Sequence, residues 1–485
     1  MGLAINTFCP ITRIRIIAVL AIFNYIFLGS EYLFDNMIRY ATDSAGVVRA
    51  QNYVLGISVI GFLLFPCINR YFNQKMREIG LYLLPIAGII CIFVIQEHLC
   101  YRSMLLSGFL LYILYGMIGS AVHYYAVVSL STEKGLAQTV GFGYAFGLLL
   151  QFISNNLIHN STVESVALSV FLAAMVLLVR RLSLECSRGV VGAEASGTDS
   201  DIDIRKNNRR SLRHPMLAAL LLISIVVLMT CIFSSLDNAV TLVHAGGSVD
   251  IGQWPRLLLA VSGLLAGVLF DIKEHRFMQI MMYCVTLLST MCVVIIVWGG
   301  PFMAGLIVFY LSAGFFVVYF TTSFMDLSYY MKVPELWAGL GRATNNICAG
   351  ITGTISLMLI ETGDGMRISI IALILFAVIS MLVYLYMVQF RMDIQEENMA
   401  KMLEKEREKF LEDKFQAFVK NYALTNREQD VLRLLLSSDE SVQVIAEQLY
   451  ISRAALYRYM ASLNEKTETK TRIGLLQFYY SWKQP

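Results

Sequence analysis

Charge is what this chain has least of. Lys, Arg, Asp and Glu make up 15% of its 485 residues, against about a quarter in an ordinary soluble domain. Much of that charge gathers in the middle and at the C-terminal end. With 57% hydrophobic residues and a mean hydropathy of +0.63, the scarcity excludes a string of soluble domains and points to a membrane protein. Metal-ligand cysteine spacing is missing as well: the nine Cys are scattered and none follows Cys348. They read as small packing residues, not as disulfides or redox centres. No P-loop, GxSxG, HExxH or Cys/His cluster occurs, and neither a kinase nor an ATPase core is present. An enzyme is therefore not expected, nor a cofactor or metal. Arg13 and Arg15 precede an apolar run, Ile16 to Leu28, but no small-residue cleavage site follows it, so this first span is expected to be retained.

What is there is a series of apolar runs. A helix needs roughly 20 apolar residues to cross about 30 Å of hydrocarbon. That window predicts spans near 14–34, 51–69, 79–98, 103–130, 136–158 and 162–182, then 215–237, 252–272, 277–298, 301–328, 336–360 and 367–389. The expected organisation is a first membrane half (1–182), a polar linker (183–214) with the basic residues Arg205, Lys206, Arg209, Arg210 and Arg213, and a second half (215–390). A charged connector (391–420) and a C-terminal domain (421–485) follow. Basic residues follow span 2 (Arg70, Lys75, Arg77), span 6 (Arg180, Arg181), span 8 (Lys273, Arg276) and span 12 (Arg391). By the positive-inside rule both termini are then cytoplasmic, in the cell's inner membrane.

The two halves echo one another. Tyr124 and Tyr125 precede a span with Gly141, Gly143 and Gly147, while Tyr329 and Tyr330 precede one with Gly339, Gly341, Gly350 and Gly353. Small residues let membrane helices approach closely, and related halves are usual in transporter folds. The loop after span 8 reads Gly267-Val-Leu-Phe-Asp271-Ile-Lys273-Glu274-His275-Arg276; the loop from Asn69 to Arg77 keeps basic residues without an acidic one. This 6+6 layout resembles the major facilitator superfamily, whose G-x-x-x-D-[RK]-x-G-[RK]-[RK] motif the first loop partly matches. The resemblance implies a central cavity between the halves; erosion of the motif weakens a transport reading.

Polar groups within spans are expensive, so each is a site hypothesis. Asn24, His123, Gln151 and Asn345 sit deepest and are expected to face a small-molecule effector; hydrogen bonding between neighbouring helices is the simpler alternative. Asn155, Asn156, Asn238, Asp326 and Asn346 are further candidates. Glu31, Asp35 and Asp237 fall near the outer ends, where solvation would account for them.

The connector, Arg391 to Lys420, has no Gly or Pro and repeats Leu403, Phe410 and Ala417 every seven residues. A short coiled coil and a solvated single helix both fit that pattern.

The C-terminal domain is read from four short amphipathic stretches. Thr425-Asn-Arg-Glu428 is a capping box, in which a Thr hydroxyl and a Glu three residues on satisfy free amides at a helix start. A second helix carries Val442, Ile445, Ala446 and Leu449, and Ser452 caps a third. There Leu456, Tyr459, Met460 and Leu463 recur on one face, leaving Arg453, Tyr457, Arg458, Ala461 and Asn464 on the other. A short helix, a turn and a helix with a basic-polar face make a helix-turn-helix, whose second helix fits the DNA major groove. After Ile451 basic residues outnumber acidic ones, as phosphate contact requires.

This segment resembles the LuxR-type helix-turn-helix, LTxRExEVLxLLxxGxxxKEIAxxLxISxxTVKxHxxxIxxKLGVxxRxEL. The chain keeps Leu424, Thr425, Arg427, Glu428, Val431, Leu432, Leu435, Ile445, Ala446, Leu449, Ile451, Ser452, Lys466, Arg472 and Leu475. It departs at the first turn (Ser437-Ser438-Asp439-Glu440), at Ala455 to Tyr459, and where KLGV is Lys466-Thr467-Glu468-Thr469. The resemblance implies base reading by Tyr457, Arg458 and Ala461, phosphate contacts by Arg453, Lys466, Lys470 and Arg472, and a homodimer on promoter DNA. Fold class is thus expected to be all-α: a 12-helix, major-facilitator-like membrane bundle followed by a four-helix LuxR-type domain. The expected function is a membrane-bound, one-component transcription regulator with lipid, promoter DNA and an unknown effector as partners. A transporter with an appended regulatory tail is the rival reading.

Overall fold

The computed structural model describes residues 10–130, 135–195, 215–247, 250–273, 275, 277–362, 364–437 and 441–482, without the side chains of 10, 187–195, 361, 390–401, 404, 405 and 408. Outside the described residues lie the linker's basic cluster, Arg276 of the loop motif, and Ser438 to Glu440. The described structure is helical throughout and divides into two compact units, Met1–Asp393 and Ile394–Pro485.

The membrane unit contains α1 (Pro10–Ile38), α2 (Ser44–Tyr71), α3 (Gln74–Gln96), α4 (Tyr101–Ser129), α5 (Leu136–Leu157) and α6 (Ser161–Ala195). The second half follows with α7 (Pro215–Ala245), α8 (Trp254–Phe270), α9 (Met278–Val297), α10 (Phe302–Ser328), α11 (Pro334–Thr362) and the first part of α12 (Gly365–Asn421). Helix α6 carries on through Ala195, into the stretch expected as linker. Eleven of the described helices are long and apolar enough to cross a bilayer. The twelfth, α8, has 17 residues, roughly 26 Å at 1.5 Å per residue. Pro255 fixes its start, because proline lacks the amide that the first helical turn leaves unpaired anyway. The protein is a multi-pass membrane protein.

The halves meet most extensively through two helix pairs, α2 against α11 and α5 against α8. Both contacts demand glycine. A Cβ on Gly141 of α5 would lie 2.6 Å from the Gly263 carbonyl oxygen of α8, and one on Gly350 of α11 would lie 2.9 Å from the Gly56 Cα of α2. Backbones this close exchange dispersion energy directly, which is what holds helices together where lipid is as apolar as the side chains.

Side chains tie the halves at both ends. At the end with the basic loops, Asp271 accepts the amides of Ala137 (3.2 Å) and Gln138 (2.9 Å) at the start of α5, where a carboxylate suits the positive end of the helix dipole. In the matching loop, Arg70 donates to Glu335 (3.3 Å) and to the Lys332 carbonyl (3.1 Å) at the start of α11. The Tyr329 hydroxyl adds a bond to the Leu130 carbonyl, 2.8 Å. His275 bonds Asp271 at 2.8 Å and faces Asp326 at 3.8 Å. Burial disfavours its cation, but the two carboxylates outweigh burial and lift its pKa to about 10, so it is charged at neutral pH. At the other end Tyr32 donates to Asp250 (3.0 Å) and Asn155 to the Gly252 carbonyl (3.1 Å).

The C-terminal unit takes the last turns of α12 into its own core: Phe415, Phe418 and Val419 are buried with Val431, Leu432, Leu435, Ile445, Leu456, Leu463, Leu475 and Tyr479. These come from α13 (Asn426–Ser437), α14 (Val442–Gln448), α15 (Arg453–Lys466) and α16 (Arg472–Ser481). The connector's end is thus part of this unit, where sequence alone separated it at 421. Arg433 of α13 grips Glu412 of α12 with two bonds, 2.8 and 2.9 Å, over the Phe415 ring. Toward the connector's start, Leu403 and Phe410 are exposed.

Candidate functional site

In the C-terminal unit the expected capping box is present. The Thr425 amide donates to Glu428 at 2.7 Å, and the Glu428 amide to the Thr425 hydroxyl at 3.4 Å. The Glu428 carboxylate does more than cap. It also accepts from the Thr425 hydroxyl (2.9 Å), Ser462 (2.6 Å) and Lys466 (2.7 Å), tying α13 to α15. Burial works against its charge, but these donors prevail and hold its pKa at about 2.

One expected DNA contact takes part in that network. The Lys466 ammonium donates to Glu428 and to the Ala423 carbonyl (3.0 Å), while its side chain stays 31% exposed. Asn464 turns inward, its amide oxygen accepting from the Thr469 hydroxyl at 2.9 Å. Ser452 caps α15 by accepting from the Ala455 amide at 3.2 Å. Arg453, Tyr457, Arg458 and Ala461 do share one exposed face of α15, with Leu456, Met460 and Leu463 buried opposite. Arg453 at the head of this face donates to Gln443 of α14. Lys470 is exposed beyond the helix end, and Arg472 is half-buried at the start of α16.

Two turns shape this face. Between α14 and α15 Tyr450 adopts φ +55° with 96% of its surface exposed, and between α15 and α16 Glu468 adopts φ +55°. Glu468 occupies the glycine position of the KLGV pattern. The left-handed turn is therefore kept without glycine, and the Thr469 amide bonds the Asn464 carbonyl at 2.8 Å across it.

In the membrane unit the four expected effector residues do not form one cluster. Asn24 donates to the Leu20 carbonyl (2.8 Å) and accepts from Arg342 (2.9 Å). His123 bonds the Gly119 carbonyl (2.6 Å) and lies edge-on to Phe23. Gln151 donates to the Leu28 carbonyl (2.9 Å) and leaves its amide oxygen buried without a partner among the described residues. Three of the four thus gather along α1. Asn345 instead accepts from Thr230 of α7 (3.2 Å) and donates to Asn346 (3.3 Å).

Sequence reasoning passed over the two strongest charges there. Arg342 is buried between the rings of Phe27 (5.3 Å) and Phe320 (5.8 Å), and Arg256 is buried within electrostatic range of Glu31, Asp35 and Asp237. An arginine in an otherwise apolar helix was the available signal. Asp35, expected to be solvated, is 2% exposed, and neither carboxylate oxygen has a hydrogen-bond partner among the described residues. Glu31 accepts from Gln51 at 2.6 Å. Asn52 and Asn238 join α2 to α7 at 3.0 Å.

Comparison with known proteins agrees with this division. A family model described as an HTH domain matches residues 427–473. The membrane unit is similar in fold to solved transporters. An auto-inhibited POT family peptide transporter shares 14% identity over 79% of this chain and 97% of its own (TM-score 0.50). The major facilitator superfamily proton:xylose symporter XylE, bound to 6-bromo-6-deoxy-D-glucose, shares 14% over 79% and 96% (TM-score 0.51). A POT family transporter in complex with a thioalcohol-conjugated peptide shares 12% over 79% and 96% (TM-score 0.52). No curated protein matches the chain by sequence. One polypeptide thus joins a major-facilitator-like fold to a helix-turn-helix domain.

Proposed function

We propose that this protein is a membrane-bound, one-component transcription regulator with a LuxR-type domain. Its membrane unit senses a small molecule, and its helix-turn-helix domain binds promoter DNA as a homodimer on the cytoplasmic side of the inner membrane. The observation that carries this reading is the exposed face of Arg453, Tyr457, Arg458 and Ala461 on α15, backed by a dedicated hydrophobic core. Arg458 is suited to bidentate pairing with guanine, worth about 1–3 kcal/mol per base pair, and Arg453 and Lys470 to phosphate. Lys466, 31% exposed, both ties α15 to Glu428 and reaches toward phosphate. The basic loops at Arg70, Arg77, Arg180 and Lys273 support a cytoplasmic C-terminus.

Chromatin immunoprecipitation of the full chain should enrich discrete promoters. Arg458→Ala should reduce that enrichment at least tenfold with protein level and membrane insertion unchanged. Equal enrichment by the variant would remove α15 as the reader. The rival, a transporter with a regulatory tail, draws on the buried charges Glu31, Asp35, Asp237, Arg256 and Arg342, a set costly in a membrane unless it serves a ligand or an ion. Solute uptake by vesicles that is abolished in Asp35→Asn would favour it.

A further inference from the structure

The first membrane half contains a cavity of about 260 Å³ among α2, α3, α4 and α6, remote in character from the charges around α1. Its depth is apolar, lined by Phe65, Leu84, Met117, Ile118, Ala121 and Val179. Its polar lining consists chiefly of Asn69, Arg77, Arg180 and Ser183. Arg77 donates to the Asn69 side chain at 3.0 Å, and Arg180 stacks over Tyr82 at 5.3 Å. In both arginines the Nε is buried and has no hydrogen-bond partner among the described residues. Neither has a carboxylate within ion-pair distance there; Glu78, also in the lining, accepts from Gln74 at 3.4 Å.

Position identifies what could enter. The polar lining comes from the end of α2, the start of α3 and the far part of α6, so it lies at one end of the bundle, at headgroup level. Helix α3, which forms one wall, turns its opposite face outward with Ile79 and Leu83 exposed, so the cavity lies one helix deep beneath an apolar outer surface. A basic pocket between membrane helices is suited to a lipid headgroup. Two half-used guanidiniums offer charge-assisted bonds to phosphate oxygens.

We infer that this cavity is a binding site for one membrane phospholipid whose headgroup carries a net negative charge: Arg77 and Arg180 hold the phosphate and the α2–α4–α6 lining takes the acyl chain. The site is independent of whether the protein regulates transcription or transports a solute.

Native mass spectrometry of the full chain in detergent micelles, titrated with phosphatidylglycerol or phosphatidylcholine, tests it. One phosphatidylglycerol per chain should bind about tenfold more tightly than phosphatidylcholine, whose phosphodiester is the same but whose quaternary ammonium cancels the net charge and would be repelled by the two guanidiniums. Arg77→Gln combined with Arg180→Gln should bring the two lipids to parity. Ala121→Trp, which fills the depth, should abolish retention of both, and Lys75→Gln, an exposed charge nearby, should change nothing. Parity in the unaltered protein overturns the proposal, as does a preference that survives in the double variant. Displacement by inorganic phosphate alone at millimolar concentration also overturns it, assigning the arginines to a free anion. The wild-type comparison and the phosphate competition decide the matter even if a variant fails to fold.

Discussion

Two buried carboxylates, one in each unit, are treated in opposite ways. Glu428 is 4% exposed and accepts from Thr425, Ser462 and Lys466. Asp35 is 2% exposed, and both its oxygens go without a hydrogen-bond partner among the described residues. A charge surrounded by donors behaves as a cross-link between helices. A carboxyl group buried without donors costs free energy instead.

The comparison breaks most visibly at Glu428. Glu428→Ala removes the partner of the Lys466 ammonium and frees the start of α13, and should cost a fragment of the C-terminal unit about 1–3 kcal/mol, measured by urea denaturation. A loss below about 1 kcal/mol would mean the network is ornamental. Because the folded pKa of about 2 lies below the ordinary value of 4.5, this stabilisation is complete above pH 4.5. It should fade as pH falls from there toward 2, and Glu428→Gln should remove that part of the pH dependence.

Asp35 should respond the other way. Asp35→Asn replaces a carboxyl group that has no hydrogen-bond partner among the described residues with an amide of the same shape, and should raise the thermal midpoint of the detergent-solubilised protein by about 3 °C, while abolishing effector response or uptake. A midpoint lowered by several degrees would show that Asp35 is structural after all.

The smallest expected effect sharpens the contrast from the backbone side. Glu468→Gly relieves a left-handed residue at the α15–α16 turn, offset in part by the greater freedom of glycine in the unfolded chain, and should stabilise the C-terminal unit by about 0.5–1 kcal/mol. An unchanged denaturation midpoint would show that the two Thr469–Asn464 bonds across the turn already absorb the strain.

Much of this fold could be read from residue order because its signals are local. Apolar runs of membrane length, the α15 face and the Thr425–Glu428 cap each lie within a few turns of chain. The helical class and the helix-turn-helix followed from them. What could not be read depends on distant partners. Arg342 is accommodated by Phe27 and Asn24 of α1, at the other end of the membrane unit in sequence, and by Phe320 of the preceding helix, and nothing beside it announces that arrangement. Asp35 looked solvated because its place near the end of a span reveals nothing of the neighbours that cover it. Lys466 matched a DNA-contacting pattern, yet its ammonium turns back to Glu428, a choice made by the packing of α13 on α15. The short α8 was legible as apolar but not as 17 residues, since its end is set by Asp271 engaging the start of α5.

That engagement has a mechanical side. One carboxylate spans two consecutive amides of α5, while four residues earlier Gly267 presses its backbone against Gly141. Any separation of α5 from α8 at this end must therefore give up two hydrogen bonds and a backbone contact that all fall within one turn of each helix.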